Sequence, residues 1–253
     1  MISLKYIGLS AGVVILASCA SSPPPVSTIA ETATLASVKS GDGGLVIMDV
    51  SGQRCETTNF TLENVNTSEK HAVKIVQKRR GSSSLLGISL GEPALVSLPA
   101  GTYQLASGGC YNHGFQPINY TWLDRWFEPF EVKNGDVSYL GSLAVSAAKG
   151  TGKRTTTNEV ATFVLGLGSN KVKPTQYPVY QFLKLQSRAS AVLNQNYPEL
   201  AKDLKYVPPK ARLTPKEFRN VVEDAFKPDA DGEKPLIKDA AQQVRDYMEG
   251  YKS

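Results

Sequence analysis

The sequence predicts a mainly β protein, a β-sandwich that carries a C-terminal helical extension. Three observations predict it. Seven or eight short apolar or alternating runs, separated by regular turn signals, fill residues 45–185. The pattern switches to a helical period from about Ser187 onward. With 253 residues and 41% hydrophobic content, the chain is long enough to bury one substantial core.

The elements follow in order. Leu45 to Val50 is a short apolar run suited to a buried strand. Ala72 to Lys78 alternates, with Val73 and Ile75 on one face and Lys74 and Lys78 on the other side of the pleat. Ala94 to Leu98 and Thr102 to Ala106 flank Pro99-Ala100-Gly101, and proline second and glycine fourth suit a type I turn. Phe127 to Val132 and Asp136 to Val145 flank Lys133-Asn134-Gly135, and Asn-Gly is the strongest short hairpin signal. In the second of these strands Val137, Tyr139, Leu143 and Val145 are expected on one face, opposite Ser138 and Ser142. Glu159 to Leu165 and Tyr177 to Leu185 are expected to pair around a Gly/Asn/Lys loop.

Beyond these, Ser187 to Asn194 suits a short helix, followed by a turn or helix from Pro198 to Lys205. Thr214-Pro215-Lys216-Glu217 is a capping box with proline at the first helical position, opening a helix to about Phe226. Its stripe is Phe218, Val221, Val222, Ala225 and Phe226. Pro235 opens a last helix to about Tyr251, with Leu236, Ile237, Ala240, Ala241, Val244, Tyr247 and Met248 on one side.

The amino terminus has its own signature. Met1 to Lys5 carries one positive charge, and Tyr6 to Ala17 is apolar but shorter than the roughly 20 residues a helix needs to span a bilayer. Leu16-Ala17-Ser18-Cys19 closes the run. Over residues 1–19 the chain resembles a bacterial lipoprotein precursor, whose lipobox reads Leu, small, small, Cys. The resemblance implies cleavage before Cys19, diacylglycerol in thioether linkage to Cys19, and acylation of the new amino terminus. Residue 20 is Ala rather than the Asp that resembles an inner-membrane retention signal, which favours the outer membrane, facing the periplasm. Ala20 to Gly44 is rich in Ser, Thr, Ala, Pro and Gly, and reads as a flexible tether. The expected organisation is a signal peptide at 1–18, the lipidated cysteine and tether at 19–44, the sandwich at 45–186 and the helical extension at 187–253.

Two strings resemble a further group. Leu98-Pro99-Ala100-Gly101-Thr102-Tyr103 and Phe130-Glu131-Val132-Lys133-Asn134-Gly135-Asp136-Val137-Ser138-Tyr139-Leu140-Gly141 look like uncharacterised bacterial lipoproteins with an immunoglobulin-like or prealbumin-like sandwich. In that group a Leu-Pro-x-Gly-x-Tyr hairpin precedes a second hairpin ending in Tyr-Leu-Gly. The resemblance spans about residues 45–185 and implies a fold, with no activity to transfer.

The charge is +5, and it is unevenly placed. Residues 19–150 hold 10 basic and 11 acidic side chains, whereas residues 151–253 hold 17 and 12. A mild basic excess suits anionic lipid or cell-wall polymer, and equally a solvated, soluble surface. Lys74, Lys78, Arg79 and Arg80 form a basic cluster at a strand end, suited to phosphate groups or to protecting a sheet edge. Tyr120, Trp122, Trp126, Phe127 and Phe130 form an aromatic segment, in which Trp122 and Trp126 are candidate contact residues for a glycan or protein, with core filling as the alternative.

Cys55 and Cys110 remain besides Cys19. In an oxidising compartment they most simply form a disulfide, the alternative being two buried thiols too far apart to bridge. Gly87-Ile88-Ser89-Leu90-Gly91 fits a nucleophile-elbow string, but Pro93 opposes the helix it needs and His113 is the only later histidine. Gly150-Thr151-Gly152-Lys153-Arg154-Thr155 departs from a phosphate-binding loop at Ala147 and Arg154. His71 and His113 lie in no metal-ligand spacing, and the acidic pairs Glu223-Asp224 and Asp229 with Asp231 fall on a helix end and a loop. The expectation is a non-enzymatic, lipid-anchored envelope module, without cofactor or metal. It would bind an envelope protein or polymer rather than nucleic acid. An envelope hydrolase with a site assembled from residues distant in sequence is the alternative.

Overall fold

The computed structural model describes residues 38–51, 57–76, 93–111, 118–153 and 175–252. The expected signal peptide, Cys19 and the Glu159 to Leu165 strand lie outside the described residues. The architecture is mainly β. In chain order the strands are β1 (Gly44–Ser51), β2 (Thr57–Asn64), β3 (Lys70–Val76), β4 (Ala94–Leu98), β5 (Gly101–Tyr111), β6 (Ile118–Asn119), β7 (Phe130–Val132), β8 (Val137–Gly150), β9 (Thr175–Leu183) and β10 (Leu204–Tyr206). The helices are α1 (Leu123–Trp126), α2 (Gln186–Asn196), α3 (Pro198–Ala201), α4 (Pro215–Ala225) and α5 (Ile237–Glu249).

The strands make two five-stranded sheets. In the first, β8 pairs in parallel with β1, which pairs antiparallel with β4. The other edge of β8 is shared: β10 pairs with Val137 to Tyr139, and β9 with Ser142 to Gly150. In the second sheet the order is β3-β2-β5, with β6 and β7 each pairing a different stretch of β5. The strand β2, TTNFTLEN, alternates half-buried and buried residues along its length. Its Phe60 and Leu62 fill the core beside Val73 and Ile75 of β3, the two residues expected to share a face.

The two turn motifs do not close hairpins. The Pro99-Ala100-Gly101 turn carries the chain from β4 in the first sheet to β5 in the second. The Lys133-Asn134-Gly135 turn carries it back, from β7 to β8. The second turn closes locally, with Asp136 N–H donating to the Lys133 carbonyl at 3.2 Å and Gly135 at φ 74°, but Asn134 does not take the positive φ that the Asn-Gly hairpin turn needs. Turn residues specify how sharply the chain bends, and the buried side chains decide which sheet each arm joins. The buried Tyr103 secures the first crossing, its hydroxyl donating to the Pro99 carbonyl at 2.9 Å. Gly44 fits between the two crossings: a Cβ there would stand 2.6 Å from the Lys133 carbonyl oxygen.

One hydrophobic cluster runs through residues of both sheets, including Val46, Met48, Phe60, Leu62, Leu105 and Leu140. The helical stripes belong to the same cluster, through Phe218 and Val222 of α4 and Ala240, Val244 and Met248 of α5. The capping box forms in full, with Glu217 N–H donating to Thr214 Oγ1 at 3.2 Å and Thr214 N–H to Glu217 Oε2 at 2.7 Å. Residues 187–252 are thus built into the fold, contributing β10 to the first sheet and two helices to its core. The expected last helix begins at Ile237 rather than Pro235, and Tyr247 on it is 42% exposed.

A second, smaller cluster covers the opposite face of the first sheet. Leu45, Ile47, Val137 and Tyr139 meet Ala189 and Leu193 of α2 and Leu200 of α3. Val38 joins them at 4% exposure, so the folded body begins ahead of the expected start at Leu45. Every residue of β1 is buried because both of its faces are covered.

Candidate functional site

A polar cluster sits within that helix-covered face. Strand β1 alternates so that Leu45 and Ile47 face α2, and by the same period Asp49 and Ser51 follow on that side. Asp49 is 0% exposed and Ser51 2%. A lone carboxylate inside an apolar strand is costly unless paired. The pairing comes from Arg188 in the first turn of α2, whose Nη1 lies 3.2 Å from Asp49 Oδ2.

The bulge in β8 completes the cluster. Ile47 is paired with Tyr139, but Met48 is paired with Gly141, leaving Leu140 as the extra residue. The shift brings Ser142 opposite Asp49. It also overturns the expected common face of Val137, Tyr139, Leu143 and Val145: Val137 and Tyr139 lie in the helix-covered cluster, whereas Leu140, Leu143 and Val145 lie in the main core. One inserted residue reverses the phase of a period-2 pattern. Gly141 takes φ 114°, a conformation that side chains disfavour, and a Cβ there would approach the Leu183 carbonyl oxygen at 3.0 Å.

Burial raises the Asp49 carboxyl above the usual carboxylate range, offset in part by the Ser142 hydroxyl, the Arg188 guanidinium and the Tyr139 hydroxyl. Burial, then the Asp49 charge, push the Tyr139 phenol well up. Asp49 Oδ1, Ser51 Oγ, Ser142 Oγ and Tyr139 OH are all buried, and the Ser142 and Tyr139 hydroxyls both face the Asp49 carboxyl. The cluster therefore clamps α2 to the first sheet through one charged contact. Asp49, Ser51, Ser142 and Tyr139 are closed to solvent, and within the cluster Arg188 alone reaches it.

The residues singled out from sequence are dispersed. Lys74 is exposed on β3, the edge strand of the second sheet, while Lys78, Arg79 and Arg80 lie outside the described residues. Trp122 follows β6 at the opposite edge of that sheet. It is half-buried, with its ring stacked on Tyr177 at 5.8 Å and 11° and its backbone at φ 62°. Trp126 is not a contact residue. It is 0% exposed, its Nε1–H donates to the Tyr180 carbonyl at 2.8 Å, and its ring meets Phe218 edge-on at 4.8 Å. Core filling explains it fully, because its polar handle is satisfied inside.

Cys110 is buried and disulfide-bonded. Cys19 and Cys55 both lie outside the described residues; Cys55 precedes β2, whose Thr57 is paired with Tyr111 next to Cys110. The Gly87 to Gly91 string and His113 also lie outside the described residues. At Gly150 to Lys153 the chain docks instead of cradling phosphate: Lys153 N–H donates to the Pro235 carbonyl at 2.8 Å and Lys153 Nζ pairs with Glu233. No cluster of three metal-ligating side chains occurs among the described residues, and none of their helices is long and apolar enough to cross a membrane.

No family model and no curated protein matches the chain. Among solved structures, a leucine-rich repeat protein from Bacteroides thetaiotaomicron is similar over 40% of this chain and 13% of its own length, at 16% identity and a TM-score of 0.29. A likeness that low carries no argument about fold or function.

Proposed function

We propose that the protein is a non-enzymatic lipoprotein of the cell envelope, held to the outer membrane by acyl chains on Cys19 and facing the periplasm. The observation that carries this reading is the lipobox Leu16-Ala17-Ser18-Cys19 behind a short apolar run. A single acyl chain binds a bilayer only marginally, whereas the two or three of a mature lipoprotein hold it durably. The chain between Cys19 and Val38 spans up to about 60 Å when extended, at ~3.5 Å per residue, enough to stand the body off the bilayer. In this reading the body is an immunoglobulin-like or prealbumin-like sandwich with integrated C-terminal helices. Cys55 bridges to Cys110, consistent with an oxidising compartment. The body acts as a binding or structural module for an envelope protein or polymer. Exposed Lys74, with its neighbours Lys78, Arg79 and Arg80 in sequence, and half-buried Trp122 are the contact residues to test first.

The test is metabolic labelling with a radioactive fatty acid, with Cys19→Ala as the control. The wild-type chain is expected to carry label and fractionate with outer membrane, and the variant to lose both. A wild-type chain without label sinks the anchor. Crosslinking in intact cells then addresses the module: a defined partner lost in Cys19→Ala supports it, and recovery of bulk membrane proteins unchanged by that variant counts against it.

A further inference from the structure

The sheets end in edges that the chain treats differently. Along the outer edge of β9, the Tyr180 carbonyl is taken by Trp126 Nε1–H at 2.8 Å, and Pro178, two residues back on the same side, has no N–H to offer. At one edge of the second sheet, Glu128 N–H donates to the Lys210 carbonyl at 2.8 Å and Phe127 bridges to Ala211. At its other edge, β3 has no such cover among the described residues. Asn64 N–H donates to the Glu69 carbonyl, and Val65 N–H to the Thr102 carbonyl on the other side of β2. By the alternation of antiparallel ladders, His71, Val73 and Ile75 therefore turn their peptide groups toward β2, and Lys70, Ala72 and Lys74 turn theirs outward. The side chains of these last three residues are exposed, on the face away from the core.

We propose that this edge is a docking site for an acidic segment of a partner protein, which adds to β3 as an antiparallel strand. Main-chain hydrogen bonds to an open edge supply affinity, and alternate side chains supply selectivity. The selectivity here is electrostatic. Lys70 and Lys74 stand on one face, with Ala72 between them, and the residue opposite Lys74 on β2 is the uncharged Asn59. Glu63 stands opposite Lys70. Acidic residues opposite both lysines, on one face of an extended chain, form cross-strand charge pairs along the new ladder. The same lysines turn away a second copy of this chain. Pairing two β3 edges about Ala72 sets Lys70 opposite the copy's Lys74, and pairing them about Lys74 sets the two Lys74 side chains together. Lysines on a bare edge thus refuse chance strands while leaving an acidic one favoured. On the reading of the body as a binding module, on which this rests, the partner narrows from an envelope protein or polymer to an extended acidic peptide segment. Docking needs no lipid on Cys19.

The probe is a synthetic peptide with the alternating core Glu-Val-Thr-Val-Glu, flanked by threonines and titrated into the full chain. The amide resonances of Lys70, Ala72 and Lys74 are expected to shift, and those of α2 to stay. Combining Lys70→Glu with Lys74→Glu is expected to weaken binding about tenfold or more, and a peptide with lysine in place of glutamate to restore it on that double variant. Ala72→Pro removes an outward N–H and is expected to abolish binding. Should that variant fail to fold, a peptide N-methylated at its central threonine tests the same ladder on the unaltered chain. Binding that survives N-methylation, ignores the charge swap or leaves β3 unmoved overturns the proposal, and so does no binding at all. A chain that dimerises through β3, and loses the dimer in Ala72→Pro, overturns it in favour of a second copy. A partner crosslinked in cells and still captured by Ala72→Pro leaves the module standing and sinks strand addition alone.

Discussion

The two faces of the first sheet are built on different principles. The face toward the second sheet is apolar at nearly every position and joins strands and helices from along the whole described chain. The face beneath α2 and α3 has a smaller apolar cluster and, beside it, the Asp49–Arg188 pair. Helix α2 buries only Ala189 and Leu193. Full burial of a leucine contributes about 1.5–3 kcal/mol, so the main core has many such terms and α2 few. The first face is redundant, the second depends on single residues, and what holds α2 in place is partly electrostatic.

The comparison breaks most visibly at Trp126. Its ring locks α1 to β9 and α4, and Trp126→Ala removes a large, fully buried side chain and orphans the Tyr180 carbonyl. A loss of about 3–5 kcal/mol is expected by chemical denaturation. An effect below about 1 kcal/mol would mean that the aromatic segment is not the core of the main face. On the helix-covered face the expected result is an asymmetry. Arg188→Ala leaves a carboxylate at 0% exposure with no counter-charge, for a loss of about 3 kcal/mol. Asp49→Asn leaves an arginine whose side chain is 26% exposed and reaches water, so its expected effect is within about 1 kcal/mol of zero. Equal losses in the two variants would show instead that the pair is a net source of stability.

The same contrast explains what was legible in the sequence. The strand β3, the helices α4 and α5 and the capping box at Thr214 could be read because local pattern and burial agree there. The strand β2 carries an equally local signal, since Phe60 and Leu62 alternate with polar residues. The partners of β4, β5, β7 and β8 were not readable. Their turns resemble hairpin turns, and the choice of sheet depends on contacts as distant in sequence as the parallel pairing of Leu45 with Val137. Strand β10 is three residues long and too short to carry a period. The polar cluster had one available signal, a charged residue at position 49 inside an otherwise apolar run. Its partner Arg188 lies 139 residues away, and the bulge that brings Ser142 opposite it has no local signature beyond Gly141.

The finest test of the helix-covered face is its pH dependence. Burial raises the Asp49 carboxyl above its ordinary value, and the groups facing it are Arg188 from α2 and Ser142 and Tyr139 from β8. Unfolded, an aspartate titrates near 3.9. Between that value and the higher folded one, the folded chain binds more protons than the unfolded chain. Stability from this group is therefore fully present below the unfolded value and is lost as pH rises through the folded value, with a slope of at most about 1.4 kcal/mol per pH unit. Glu199 and Glu217 act in the opposite sense, because their carboxyls are lowered by a hydrogen bond from Lys39 and by the Thr214 backbone N–H. Subtracting the Asp49→Asn profile from that of the wild type removes those common contributions. The difference should fall as pH rises above the unfolded value and level off once pH has passed the folded one. A difference that rises instead would mean that Arg188 more than repays the burial of Asp49, making the helix-covered face a stabilising clamp rather than a tolerated cost.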